Sequence, residues 1–596
     1  MSSRRNFLLG VGIGSAAFAS AFSPIRKLLL ALLTGGDPEL GGLKIRETRN
    51  FLQLNLYGAP SRWFFDNSLK PYDDSIFYRH PMHFNRITGK NQFDYQTHKY
   101  GGINMPYLWK FGIPKQAGGS TPMTNLLDNF MTIRGVQMEG TIGHPANCAK
   151  LVAPSLGGVS LDGLLADRSD CLVSAISIGG TPANRAFKAR SSTVLKIKSN
   201  QPNYLAYILD PFLYQGRPAL ENSEEITGLV DQALDELRLQ RNGQAEHFKP
   251  LYSDLKKARR YLLRNIESFL SEYDSLIKKY HALIERAHGT ELSGINDYLM
   301  PGLELPQTVK GKLSERLGLG RFYTANHFVL DGDLRGILKN AQIGHLAQEF
   351  ALAEFIFKKG LSTSLVIAPE NEMGHLFFKA MSSSGLKHSD VQSSYDKSAN
   401  ATTYSMRPGA KPAPCELLLS MDSHHTGSMV NFITCNHYYY AYATCLNELI
   451  SSFKATKLKR GNLFDETVIQ LTAEFERLPN YYHDGSKHNE LAHVSSFFSG
   501  IIKGPQVLGN IFTGHQKYDD PESRDLGTVG FSAPVAELGN RPIGISNLSS
   551  SISKMLRVPA IVKRAPSIID VKNNTVTSKI EKAKNVQGES ISYFNI

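Results

Sequence analysis

The sequence predicts an α/β domain built around a largely parallel central sheet, and two patterns carry that prediction. Seven short runs rich in β-branched and aliphatic residues, at 51–56, 130–133, 172–178, 364–367, 416–421, 467–472 and 497–502, read as buried strands. Helical or loop segments separate each run from the next, the alternation expected when parallel strands are joined by crossovers. At 596 residues, with 41% hydrophobic and 10% aromatic content, the chain can bury a large core. No internal repeat of fixed period is visible, and one large enzyme-like domain spanning about 45–570 fits.

The chain opens on Ser3-Arg4-Arg5-Asn6-Phe7-Leu8 and an apolar, Gly/Ala-rich run that ends near Ala21. Paired arginines ahead of such a run mark a twin-arginine export signal, here residues 1–21, with small residues at Ala17, Ala19 and Ala21 for cleavage. The run is too short and glycine-rich for a confident bilayer span. A second apolar stretch, 28–33, follows Arg26 and Lys27 and would prolong a membrane anchor if the signal stayed attached. The expected location is the periplasm or another extracytoplasmic space, and the first expected partner is the twin-arginine export machinery. Gly10, Gly12 and Gly14 do not form a dinucleotide loop, because no strand precedes them and Ser15 stands where the third glycine belongs.

The net charge of +12 is spread thinly, with no long Lys/Arg block, so nucleic acid is not an expected partner. A membrane surface of anionic lipid or an acidic envelope polymer suits a basic exported chain better. Five cysteines, Cys148, Cys171, Cys415, Cys435 and Cys445, contain no Cys-x-x-Cys pair, which removes the zinc-ribbon and thioredoxin readings. They read as buried small hydrophobes, with room for one disulfide.

Between 222 and 287 the strand alternation is interrupted. Apolar residues at Leu255, Leu262, Ile266, Phe269, Tyr273, Ile277, Tyr280 and Ile284 recur at three- and four-residue steps, and Ile226, Val230, Leu234 and Leu237 do the same upstream. Each series lines one helix face, which predicts a helical hairpin inserted into the α/β domain or packed across it. Residues 382–414 and 514–545, rich in Ser, Pro, Asn, Gly and Asp, read as loops able to cover a site. The 571–596 tail is polar and lysine-rich and reads as surface decoration.

Open parallel sheets bind ligands beyond the carboxyl ends of their strands, and those positions here are rich in chemistry. The run ending near 421 leads into Asp422-Ser423-His424-His425. The run ending at 472 leads to Glu474 and then a loop with His483, Asp484, His488 and His493. The run near 133 leads to Gly143-His144-Pro145, and the first to Tyr57-Gly58-Ala59-Pro60-Ser61. Imidazole and carboxylate converging from separate strand ends suit a divalent metal, zinc or manganese, which can polarise a phosphoryl, sulfuryl or acyl oxygen. Asp422 and Ser423 equally suit a helix cap. His488 and His493 are not a zincin pair, since five residues on a helix put their rings about 140° apart. Neither a Gly-x-Ser-x-Gly elbow nor a Walker loop occurs.

The stretch Leu463-Phe464-Asp465-Glu466-Thr467 through Thr472-Ala473-Glu474-Phe475-Glu476-Arg477-Leu478-Pro479 resembles a motif of the DUF1501 family of exported bacterial proteins. Asp422-Ser423-His424 is similar to that family's Asp-Thr-His, Gly58-Ala59-Pro60-Ser61 to its Gly-Gly-Pro-Ser, and Gly143-His144-Pro145-Ala146 to its histidine-Pro-Ala segment. The resemblance covers about three quarters of the chain. It implies a three-layer α/β/α fold of the alkaline phosphatase and sulfatase type, and a metal-dependent hydrolase pocket for phosphate or sulfate esters. Asp422, His424, Glu474, His488 and His144 are then the metal ligands, and Thr141 or Ser155 stands nearest to a nucleophile. Arg62 and Arg477 are candidates to hold an anionic small-molecule or polymer substrate, since a guanidinium fork suits such groups. The chain departs from the pattern at Arg62 and Phe64, where the family carries His and Asp, at Glu476 in place of glycine, and at Lys487 in place of Asp. These departures keep open a non-catalytic envelope protein on the same fold, binding its partner through the helical hairpin.

Overall fold

The computed structural model describes residues 47–67, 84–85, 90–91, 97–138, 143–155, 158–169, 171, 173–190, 192–209, 245–289, 294–295, 298, 342–343, 345–369, 377–385, 391–396, 401–406, 408–409, 413–420, 428–479, 486–512 and 531–582. The export signal at 1–21, Thr141, Asp422 and His424, the first arm of the 222–287 hairpin and most of 514–545 lie outside the described residues. Among the described residues no helix is long and apolar enough to cross a membrane.

The protein is mixed α/β with a largely parallel central sheet. Among the described residues the sheet has nine strands: β1 (Asn50–Asn55), β2 (Phe130–Gln137), β3 (Ile176–Ile178), β4 (Leu195–Ile197), β5 (Ser364–Ile367), β6 (Thr467–Thr472), β7 (His493–Phe498), β8 (Gln506–Leu508) and β9 (Ile543–Gly544). They run β4-β3-β5-β1-β6-β7-β2-β8, with β9 sharing the outer edge of β2. Every pairing is parallel except the two made by β7, which lies reversed between β6 and β2. Alternate residues of the central strands enter two different cores. Leu52, Leu54, Ile469, Leu471 and Phe498 pack into one, while Phe51, Val468, Phe497, Met131 and Ile133 pack into the other. Both faces of the sheet are therefore buried, which is why these strands read as continuous apolar runs.

Besides two short helices at Pro182–Arg185 and Tyr204–Leu209, the helices among the described residues are α1 (His144–Lys150), α2 (Leu161–Ala166), α3 (Ala245–Gly289), α4 (Leu346–Lys359), α5 (Ser428–Ala455) and α6 (Ile545–Met555). Helix α4 stops at Gly360, whose φ of 64° suits glycine, and the Leu361 N–H reaches back to the Ile356 carbonyl at 2.9 Å. Helices α3, α4 and α5 are tied together by Glu354. Its carboxylate accepts from Lys279 Nζ at 2.6 Å, Tyr280 Oη at 2.7 Å and Ser452 Oγ at 2.7 Å. Burial works against the Glu354 charge, but Lys279, by charge and hydrogen bond, holds the carboxyl below its ordinary value.

Several expectations are corrected. Of the expected 222–287 hairpin the described part is α3, whose residues Tyr273, Tyr280, Leu283 and Ile284 belong to the main core. The 382–414 segment is a β-ribbon region: Phe377–Gly385 pairs with Ala413–Ser420, and Val391–Asp396 with Ala401–Met406, all antiparallel. Its Thr and Tyr residues have the β-propensity that the segment's polarity concealed. The described part of the run at 416–421, within the strand Ala413–Ser420, thus belongs to a separate three-stranded sheet. The run at 497–502 is displaced to His493–Phe498, because Ser499 and Gly500 turn the chain. The supposed tail begins as a hairpin, Ile569–Lys572 with Thr575–Ser578, turning on Asn573 and Asn574 at φ 48° and 57°, with Val576 buried. Cys148, Cys171, Cys435 and Cys445 are buried thiols.

Candidate functional site

The core on one side of the sheet becomes polar toward the carboxyl ends of the strands. Along β1 and β6 the paired positions run Phe51 with Val468, Gln53 with Gln470, and Asn55 with Thr472. The buried amides are knitted together: Gln53 Nε2 donates to Gln470 Oε1 at 3.1 Å, and Gln470 Nε2 to Ser495 Oγ at 2.7 Å. At the carboxyl end, Asn55 Nδ2 donates to Cys148 Sγ at 3.2 Å, and Thr472 Oγ1 lies 3.3 Å from His493 Nε2. Buried amides and hydroxyls demand partners, so this ladder fixes the strand register and delivers the residues beyond β1 and β6 to one place.

That place is organised by Glu474, two residues past β6 and fully buried. Its Oε1 accepts the Gly58 N–H at 2.7 Å and lies 2.5 Å from His144 Nδ1. The loop after β1, the start of α1 and the end of β6 are thereby held on one carboxylate oxygen. The other oxygen, Oε2, is buried and has no hydrogen-bond partner among the described residues. His488, from the strand Ser486–Asn489, presents its ring edge-on to His144 at 4.4 Å between centroids, and Phe475 stacks against His488 at 4.0 Å. Glu490 stands beside them, with Oε1 3.9 Å from His488 Nδ1 and 3.4 Å from the Gly143 nitrogen that donates to it. Both imidazoles keep some solvent exposure, 20% for His144 and 24% for His488, whereas Glu474 has none. The arrangement is a half-open patch of nitrogen and oxygen donors over a buried carboxylate.

The two arginines expected to hold an anion are turned inward. Arg62 is fully buried and binds Asp66 through both arms, with Nε donating to Oδ1 at 2.6 Å, and its Nη2 also donates to the Leu471 carbonyl at 3.1 Å. Burial opposes that charge, yet Asp66 holds the guanidinium above its ordinary value. Arg477 is buried too; its Nε donates to the Ala59 carbonyl at 2.8 Å and its Nη2 to the Gly58 carbonyl. Both brace the loop after β1, a positioning role in place of the expected substrate contact. Glu476, where the resembling motif has glycine, accepts the Arg62 N–H at 3.1 Å and the Arg477 N–H at 2.9 Å. Burial pushes its carboxyl up to about 8 despite those donors.

Two further elements close the floor. Cys148 on α1 packs with Ala183 and Ala368. Burial first, and then the Glu474 charge, push its thiol up to about 12, so it is packing and not a nucleophile. Gly179, just past β3, has φ 107°, and a Cβ there would lie 2.0 Å from the Ala368 carbonyl oxygen. Gly179→Ala is expected to destabilise the protein by about 2–4 kcal/mol, from backbone strain plus overpacking. Chemical denaturation measures it, and a loss below about 0.5 kcal/mol would show that β3 and β5 can part without penalty.

Of the expected site residues, the fold brings Glu474, His144 and His488 together and places Arg62 and Arg477 behind them. Among the described residues no group of three or more His, Cys, Asp or Glu is arranged to hold a metal ion. Glu490, which sequence reasoning passed over, joins the cluster; its only sequence signal is its place two residues after His488. No family model, no curated protein and no solved structure shows a significant match to the chain.

Proposed function

We propose that the chain is an exported, metal-dependent hydrolase of phosphate or sulfate esters on a three-layer α/β/α fold of the alkaline phosphatase type, similar to DUF1501 proteins. The observation that carries the reading is the unpartnered, buried Oε2 of Glu474 beside two imidazoles at the carboxyl edge of a parallel sheet. A buried carboxylate oxygen with no donor is costly unless a cation or a proton meets it. Imidazole and carboxylate are the donor types zinc and manganese take. Glu474, His488 and His144 do not form a complete metal site by themselves; we propose that Asp422 and His424 complete the set that would hold the ion with them. The ion supplies Lewis acidity toward an ester's phosphoryl or sulfuryl oxygen. Glu474 also orients His144, and Arg477 fixes the loop after β1 that forms the rim. Thr141 is the proposed nucleophile, and twin-arginine export to the periplasm the proposed route.

Elemental analysis of the purified chain, in wild-type, Asp422→Ala and Glu474→Gln forms, tests this. About one or two divalent ions per wild-type chain are expected, lost in both variants together with a drop of about 100-fold or more in ester hydrolysis. Gln at 474 keeps an acceptor for the Gly58 N–H, so the fold should survive.

A second reading is favoured by the Arg62 and Asp66 pair. Where the resembling pattern carries a histidine, this chain has an arginine already neutralised inside the core, and Phe64 beside it is buried as well. A non-catalytic envelope protein retaining the fold fits that substitution. No metal in any of the three forms would favour it and sink the hydrolase.

A further inference from the structure

At the opposite end of the sheet from Glu474, ahead of the amino ends of β1 and β6, lies a cavity of about 720 Å3. Its charged lining is Arg49, Arg460, Asp465, Glu466, Lys554 and Arg557. The two carboxylates are already engaged. Both Glu466 oxygens accept from Arg557, at 2.7 and 2.9 Å, and Asp465 Oδ2 accepts the Asn462 N–H at 3.0 Å. The remaining cations have weaker compensation. Arg49 is buried, and among the described residues it donates to neutral oxygens alone: the Asp465 carbonyl at 3.2 Å, the Met555 carbonyl at 2.6 Å and Asn574 Oδ1. No carboxylate comes within ion-pair distance of it among the described residues. Burial, then the neighbouring Arg557 charge, pull its guanidinium down to about 10, with Glu466 and Asp465 offsetting only part. Arg460 is exposed, and among the described residues the carboxylate nearest Lys554 within ion-pair distance is Asp570, 3.6 Å away.

Backbone strain accompanies this excess of charge. Arg557 sits at φ 60°, just past the end of α6, a left-handed position that favours glycine. The chain tolerates an arginine there, and the side chain lines the cavity and locks Glu466. Among the described residues the only apolar side chains of the lining are Val558 and Val571, and no aromatic ring lines the space to stack on a base. The volume falls in the range of ligand sites of about 300–1,000 Å3, far larger than one phosphate needs.

We propose that this cavity binds a compact polyanion carrying two or more phosphate groups, gripped by the exposed Arg460 and Lys554, with the buried Arg49 adding its charge from behind. Guanidinium forks bind phosphate oxygens with two parallel hydrogen bonds, and the ammonium adds a point charge. The site is separate from the Glu474 cluster and does not depend on the hydrolase reading. Calorimetric titration of the full chain with sodium tripolyphosphate at fixed ionic strength tests it, with orthophosphate as the comparison. Saturable binding of one tripolyphosphate per chain is expected, at least about ten-fold tighter than orthophosphate, because more phosphates reach more cations. The Arg460→Ala, Lys554→Ala double variant should fold normally, both side chains being exposed, and should bind at least about ten-fold more weakly. Glu474→Gln should bind as the wild type does. Absence of saturable binding, equal binding in the double variant, or loss of binding in Glu474→Gln overturns the proposal.

Discussion

Replacing Arg62 with methionine is expected to destabilise the protein by about 3–5 kcal/mol, because it strands the buried Asp66 carboxylate without its cation. Asp66 is fully buried and Arg62 binds both of its oxygens. The attraction between the two charges offsets the desolvation of each, so removing one partner exposes the penalty of the other. Removing both should be much milder: an Arg62→Met, Asp66→Leu double variant is expected to regain most of the loss, since an apolar pair of similar volume needs no solvation. Urea unfolding of the four members of the cycle reads both numbers. A single-variant loss under about 1 kcal/mol would mean that water or a shifted side chain reaches Asp66, and that the loop after β1 is less firmly braced than its contacts imply. The same loop carries Gly58, whose N–H meets Glu474, so the single variant should also loosen the candidate site.

The second large effect is acid lability. His288 on α3 and His437 on α5 face each other, edge to ring, 5.7 Å apart between centroids, and both are buried. Burial pulls His288 down to about 4; burial and then the His288 charge pull His437 down to about 3. Both ring nitrogens of His437 lack a hydrogen-bond partner among the described residues. In the unfolded chain each ring takes up its proton near its ordinary value of 6.5. The stabilising preference for neutral rings is therefore complete above pH 6.5 and is lost as pH falls toward 4 and then 3. Between those limits each histidine should remove roughly 1.4 kcal/mol of stability per pH unit. His437→Leu takes one titrating group out of the interface, and its unfolding free energy should fall with acid by about one proton less than the wild type's. Equal pH slopes in the two proteins would contradict the buried, neutral state of His437.

The parts of the fold legible in the sequence were those where burial on both sheet faces wrote an uninterrupted apolar run. The strands at 364–367 and 467–472 fall where that pattern places them, and the first strand is displaced by one residue. Strand β7 slipped because its first half is polar. Ser495 and Ser496 are buried only through hydrogen bonds to Gln470 and to Thr132, residues of the neighbouring strands that local pattern cannot see. The strands at 377–385, 391–396 and 401–406 were missed for the related reason that Ser- and Thr-rich strands are specified by their cross-strand partners more than by any apolar face. The helical period of 255–284 marks a packing stripe, and the structure shows what it packs on: Lys279 and Tyr280 meet Glu354 on α4.

The candidate site divides along the same line. The sequence by itself determined that a carboxylate and imidazoles follow the ends of strands, because residue type and strand position are local properties. Only the tertiary structure decided which of them meet. Glu474 finds Gly58 and His144 across 416 and 330 residues of chain, and Arg62, which pattern would offer to a substrate, is turned into the core by Asp66. A side chain's charge is fixed by its residue type, but whether that charge faces a ligand or a partner inside the protein is fixed by the neighbours that folding supplies.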